Sequence, residues 1–216
     1  MNIFQVENLS KQYAEKRLFH QITFGIDHGE KVALIARNGA GKTTLLNIIT
    51  GSEIQDEGTY SFKRNLSIAY LPQNPEYPDG TTVIDCILKG DSPILKTLRE
   101  YEKLVNNSEI THNSDYQQQL ARLTESMDAL RAWDYETRIR QMLSVLKIDF
   151  PKQKIETLSG GQKKRVALAE ALLRDADLLI MDEPTNHLDV EMIEWLEQYL
   201  SRSTLSLFMV THDRYF

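Results

Sequence analysis

Residues 34–44 read LIARNGAGKTT. Lysine and threonine directly after Gly39 and Gly41 leave few folds open, because the pattern works only where a strand ends, a loop curves and a helix begins. Residues 31–36, KVALIA, form a short, nearly continuous apolar run that predicts a strand buried on both faces of a sheet. From Lys42 the order TTLLNIIT predicts a short helix, with Gly51 as its stop signal. In this arrangement the amides of Asn38, Gly39, Ala40, Gly41, Lys42, Thr43 and Thr44 converge on an anion at a helix N-terminus. Lys42 would reach the β- and γ-phosphates of a nucleotide, and the Thr43 hydroxyl would ligate magnesium. Ala36 stands where the phosphate-loop pattern GxxxxGK[ST] has its first glycine. One methyl group fits there if φ stays negative. A chance glycine-rich turn and a decayed, non-binding loop are the competing readings.

Composition narrows the class. The chain has 216 residues, 41% of them hydrophobic and 26% charged, as in a globular protein with a substantial core. Its formal charge of −6 supplies no global field for nucleic acid or anionic lipid. No apolar run reaches the roughly 20 residues that span a bilayer, and MNIFQVENLS lacks the layout of a signal peptide. A cytoplasmic protein is expected. Cys86 is the only cysteine, so no intrachain disulfide can form, and five scattered histidines give no zinc-ligand spacing.

Along the chain, 2–9 and 22–26 read as early strands, and 59–62 and 67–71 as further ones. LPQNPEYPDG then breaks any regular element. From Thr82 to about Ile148 the pattern is helical. Ile94, Leu98, Tyr101 and Val105 form one apolar stripe, and Tyr116, Leu120, Leu123, Met127 and Leu130 form another. The polar NNSEITHNSD lies between them. An antiparallel hairpin with its turn near 106–115 is the economical reading; three ordinary core helices are the alternative. After Phe150 the α/β rhythm returns, with helices at 160–173 and 190–200 and strands at 178–181 and 205–210. The expected organisation is an α/β core in two pieces, 1–81 and 151–216, around a helical insertion at 82–150.

Two further stretches carry chemistry. In DLLIMDE, residues 177–183, four apolar residues place two carboxylates at the end of a buried strand. Asp182 suits Mg²⁺, and Glu183 suits polarisation of an attacking water. In LSGGQ, Ser159 and Gln162 have capping-box spacing before the helix KKRVALAEALL, and Gly160 and Gly161 leave its first amides bare. Such an end attracts phosphate.

GAGKTT, LPQ, LSGGQ, LLIMDEPTNHLD and THD, in this order, resemble the ATPase domain of the ABC superfamily over essentially the whole chain. DEPTNHLDVEMIEWLEQYL, THDRYF and the long helical stretch after Gln73 are similar to the first ATPase half of ABC-F proteins, above all the Uup-like group. The resemblance implies a P-loop core with a mixed sheet and a helical arm, and Mg²⁺-dependent ATP hydrolysis. It also implies a second ATPase half as partner, with the ribosome or another nucleoprotein complex as target. It assigns adenine stacking to Tyr13, sensing of Mg²⁺ and water to Gln73, a γ-phosphate contact to His212, and a contact with the opposite domain to Asp189. Lys42, Gln73, Glu183 and His212 would form the catalytic set, and Thr43, Gln73 and Asp182 the metal set. Ser159, Gly160, Gly161 and Gln162 would close on a neighbour's nucleotide. Asp189 also reads as a plain helix N-cap, Tyr13 as an ordinary half-buried aromatic, and His187 as a structural residue. The sequence stops just after His212, so the resemblance implies a truncated piece without linker or second half. Two other functions remain open: the ATPase subunit of a membrane transporter, or a nucleotide-binding regulatory module. Residues 90–150 hold eight Lys and Arg against ten Asp and Glu, so charge does not support RNA binding by the arm.

Overall fold

The computed structural model describes residues 1–106 and 114–212. The chain divides into two compact units, one made of Met1–Pro75 with the chain from Arg174 onward, the other of Glu76–Leu173.

In the first unit, β1 (Asn2–Tyr13) and β2 (Lys16–Asp27) form a long antiparallel hairpin, and β1 also pairs with β4 (Glu57–Phe62), giving the order β2-β1-β4. Both early strands run well beyond the expected 2–9 and 22–26. Their outer ends, with Lys11, Gln12, Lys16 and Arg17, still pair in the ladder although their polar side chains carry no strand signal. Phe4, Val6 and Leu9 are all buried although period-2 alternation would separate Leu9 from the other two. The register shift between Val6 and Leu9, with Asn8 at φ 51°, returns Leu9 to the buried face.

The second sheet of this unit is parallel. It contains β3 (Lys31–Ile35), β5 (Ile68–Leu71), β6 (Leu178–Asp182) and β7 (Ser206–Thr211) in the order β3-β7-β6-β5. β6 and β7 are buried along their whole length, as their unbroken apolar runs require. β3 departs from expectation: Val32 and Leu34 are half-buried, but Lys31, Ala33 and Ile35 are exposed. It stands at the edge, and one of its faces is open. A short apolar run cannot tell an edge strand from a central one, because the neighbours that decide this come from distant sequence. Helix α1 (Lys42–Ile49) packs Leu45, Leu46, Ile48 and Ile49 into a core shared with both sheets. There the Phe24 and Phe208 rings stack at 5.2 Å and Phe4 stacks on Phe62 at 4.6 Å.

The second unit is helical. It holds α2 (Val83–Ile87), α3 (Pro93–Asn106), α4 (Ser114–Ala129), α5 (Ala132–Val145) and α6 (Gly160–Leu173). The two stripes face inward: Leu98 and Met127 are fully buried, while Ile94, Tyr101, Leu120, Leu123 and Leu130 are half-buried. Val105, the last member of the first stripe, is exposed. Helix α5 packs against both α3 and α4, with Trp133 meeting the edge of Tyr101 at 5.3 Å. The pair of helices is thus joined by a third. Residues 107–113, most of the expected turn, lie outside the described residues. The C-terminal carbonyls of α6, left without helical partners, are taken up by neighbouring side chains. The Tyr135 hydroxyl donates to Leu173 O at 2.6 Å, and Arg138 Nη2 donates to Leu172 O at 3.1 Å.

Candidate nucleotide-binding site

The end of β3, the loop 36–41 and the first turn of α1 meet the C-terminal ends of β6 and β7. This is the crevice where open parallel sheets place ligands. A cleft of about 400 Å³ opens there, lined by residues of the first unit that include Tyr13, Asn38, Lys42, Thr43, Gln73 and Glu183. Gly39, Gly41, Thr44 and Asp182 share the lining. Most of the residues expected from the sequence therefore meet in one place.

The loop's conformation explains its glycines. Gly39 and Gly41 lie at φ 78° and 90°, where L side chains are strained. A Cβ on Gly41 would also stand 2.9 Å from Leu18 Cβ. Ala36 is not among the positive-φ residues and contributes through its backbone. Its N–H donates to Thr211 O at 3.4 Å, and its carbonyl accepts from Lys42 Nζ at 2.9 Å. The Ala40 amide donates to Arg37 O at 3.2 Å, so it is engaged in the loop's own turn.

Lys42 and Glu183 are almost wholly buried and 3.1 Å apart, and His212 Nδ1 lies 2.6 Å from the second oxygen of Glu183. Burial raises the Glu183 carboxyl, but hydrogen bonds from Lys42 and His212 outweigh it and hold the group below the usual carboxylate range. Glu183 has φ 51°, an unfavourable angle for a residue that carries a Cβ, and its amide is tied to Val210 O at 2.8 Å. The strand therefore ends in a sharp bend that turns the carboxylate toward Lys42. The Thr43 hydroxyl donates to Asp182 Oδ2 at 2.9 Å. A hydroxyl and a carboxylate side by side are the hard oxygen donors that Mg²⁺ takes, so this donor set fits the ion. Burial, with the negative charge of Asp182, pushes the Tyr70 hydroxyl up to about 12.

The remaining residues divide between the units. Asp189, in the first, caps α7 (Val190–Arg202) through Met192 N–H at 3.0 Å, so the N-cap reading holds. His187 is exposed with φ 69°. Ser159, Gly160, Gly161 and Gln162 belong to the second unit. There the expected capping box is formed, with Ser159 N–H donating to Gln162 Oε1 at 2.8 Å and Gln162 N–H donating to Ser159 Oγ at 3.2 Å.

Sequence reasoning missed three contributors. Lys16 and Leu18 of β2 line the cleft, and Lys16 Nζ lies 3.9 Å from the position of a Cβ on Gly39. Glu53 accepts a hydrogen bond from the Tyr13 hydroxyl. None of the three sits in a motif. Only their position across the hairpin, or after α1, brings them to the loop.

The ABC transporter family model matches residues 19–186. An uncharacterized ABC transporter ATP-binding protein of Bacillus subtilis, YfmR, is 47% identical over 100% of this chain and 34% of its own length. The energy-dependent translational throttle protein EttA of Mycobacterium tuberculosis is 31% identical over 99% of this chain and 38% of its own. An ABC transporter F family member of Arabidopsis thaliana is 35% identical over 98% of this chain and 32% of its own. The chain spans about a third of the length of these relatives. The ATP-binding subunit of an ABC transporter shares the fold, with a TM-score of 0.65 at 24% identity over 97% of this chain and 79% of that one.

Proposed function

The chain belongs to the ABC transporter family, and from that premise we propose that it is an ATP-binding and ATP-hydrolysing domain of the ABC-F type. The observation that carries this reading is the meeting of Lys42, Thr43, Asp182 and Glu183 in one cleft, with His212 against Glu183. Lys42 would turn its ammonium from Glu183 to the β- and γ-phosphates of ATP. Glu183, once released and held ionised, would accept a proton from the water that attacks the γ-phosphorus. His212, exposed at the cleft's edge, would steady the transferred phosphoryl oxygens. Tyr13 would stack on the adenine, which a planar ring does with little base selectivity. Thr43, Asp182 and Gln73 would hold Mg²⁺, which neutralises phosphate charge when bound. The ABC-F reading rests on the name of the Arabidopsis F family relative and on the helical second unit, and the name of EttA, a translational throttle protein, supports the ribosome as the target of the whole protein.

Two arms test the reading. In equilibrium titration, Mg-ATP should bind and Lys42→Ala should weaken it by more than about tenfold, since it removes a charge directed at the phosphates. Glu183→Gln should retain binding while phosphate release falls by about a hundredfold or more. Binding indifferent to Lys42, or hydrolysis indifferent to Glu183, would reject the site. For the target, Glu183→Gln protein should sediment with ribosomes in ATP and not in ADP; equal sedimentation in both would reject the ribosomal role.

A further inference from the structure

Tyr13 ends β1 in the cleft wall and is 49% exposed. A half-exposed tyrosine at the tip of a hairpin would ordinarily sample several rotamers. Here the ring is held from two directions. Its hydroxyl donates to Glu53 Oε1. The ammonium of Lys11 stands over the ring, 5.4 Å from the centroid, within the range of cation–π attraction. We propose that Lys11 and Glu53 are positioning residues that hold the Tyr13 ring as a ready-made wall for the nucleotide base; this rests on the nucleotide reading of the cleft.

The two supports are themselves fixed. Lys11 Nζ donates to Ile54 O at 2.7 Å and to Asp56 Oδ1 at 3.1 Å, and lies 3.6 Å from Glu53 Oε1. Asp56 in turn accepts from the Gln12 amide at 2.7 Å, and its own amide donates to Ser10 O at 3.1 Å. The side chains of Lys11 and Glu53 are only 12% and 21% exposed, so solvent does not scatter them. The hydrogen bond to Glu53 pushes the Tyr13 hydroxyl up, and that to Asp56 pushes the Lys11 ammonium up.

Glu53 also links the ring to the phosphate loop. Its amide donates to Asn47 O at 3.1 Å in the last turn of α1, the helix that begins at Lys42. One rigid helix thus fixes the distance between the wall for the base and the cradle for the phosphates. Immobilising a free side chain on binding costs affinity, and a ring already held avoids that cost.

The experiment compares two probes on the purified protein, ATP and inorganic tripolyphosphate, which has the phosphates without a base. Glu53→Ala and Lys11→Met should each weaken ATP by about three- to tenfold, the usual cost of one ordered side chain, and leave tripolyphosphate unchanged. Tyr13→Phe, which keeps the ring and removes its tether, should match Glu53→Ala. The Tyr13→Phe/Glu53→Ala double variant should lose nothing more than either single change. Glu53→Gln, which keeps an acceptor, should restore most of the ATP affinity. If Tyr13→Ala weakens ATP while Glu53→Ala and Lys11→Met do not, the positioning role is wrong and the adenine reading stands. If Glu53→Ala weakens both probes equally, Glu53 supports the loop and not the ring, which also overturns the proposal. If neither probe depends on Lys42, the nucleotide reading fails and this inference falls with it.

Discussion

Ala36 shows how a departure from a motif is settled one residue at a time. The phosphate loop needs glycine where φ is positive, and that condition falls on Gly39 and Gly41. At position 36 the backbone does the work, by accepting from Lys42 and donating to Thr211, and a methyl group disturbs neither bond. Ala36→Gly should therefore change ATP affinity by less than about tenfold, or roughly 1.4 kcal/mol, in the same titration that shows the larger loss in Lys42→Ala. A variant that binds ATP where the parent does not would reject this account. Cys86 makes an independent test of burial. It lies on α2, only 2% exposed, and burial, with the charges of Glu170 and Asp85, pushes the thiol up to about 12. A raised thiol pKa means that the folded chain keeps its proton while the unfolded chain, near 8.5, releases it. Stability should thus decline as pH rises between those two values. At pH 9 the folded thiol stays almost wholly protonated, and the thiol is not the nucleophile. Alkylation at that pH should leave native protein unmodified and label one cysteine per chain once denaturant is added.

At the scale of elements, legibility followed the strength of the local signal. Helix α6 falls on the expected 160–173, because Ser159 and Gln162 mark its start by a capping box that the structure contains. Helix α1 stops before Gly51, whose φ of 79° suits only glycine well. The outer half of the β1–β2 hairpin was not legible, since KQYAEKR is polar and its strand state comes from ladder pairing, not from a buried face. The edge position of β3 was hidden for the complementary reason: its partner β7 arrives from more than a hundred residues away. The cleft shows the same division. Lys42, Thr43, Asp182 and Glu183 sit in contiguous motifs, whereas Lys16 and Leu18 enter only through packing, and Glu53 only through its bond to Tyr13. A bulge supplies a test. Gly58 of β4 has φ 83° beside the irregularity at Asn8, and a Cβ there would lie 2.4 Å from Asn8 O and 2.5 Å from Glu7 O. Backbone cannot swing aside as a flexible side chain can. Gly58→Ala should destabilise the protein by more than about 1 kcal/mol in denaturant titration, whereas Gly80→Ala, with open space around it, should show only the smaller strain of its φ of 79°.

Catalysis is a question for the whole molecule, because the residues proposed to meet phosphate do not all lie in one unit. Lys42, Asp182, Glu183 and His212 belong to the first, and Ser159 to Gln162 to the second, where the side chains of Ser159 and Gln162 are spent on capping α6. What that helix offers a phosphate is then its first amides, at the glycines, with the partial positive charge of its N-terminus. In the family to which the chain belongs, an ATP is enclosed between the phosphate loop of one domain and the signature segment of another, packed head to tail. A single copy would supply half of each such enclosure. Without the other half, water is not excluded and the clamp on the transferred phosphoryl group is incomplete. We therefore expect the 216-residue chain to bind ATP as a monomer and to hydrolyse it slowly, with a rate per chain that climbs with protein concentration. Glu183→Gln should favour an ATP-dependent dimer by holding the closed arrangement without turnover. Steady-state hydrolysis across a hundredfold range of concentration, beside sedimentation with and without ATP, checks both expectations. A fast rate that is independent of concentration, from a species that sediments as a monomer, would show that one copy encloses its own nucleotide. The assignment of Ser159 and Gly161 to a neighbour's site would then be wrong.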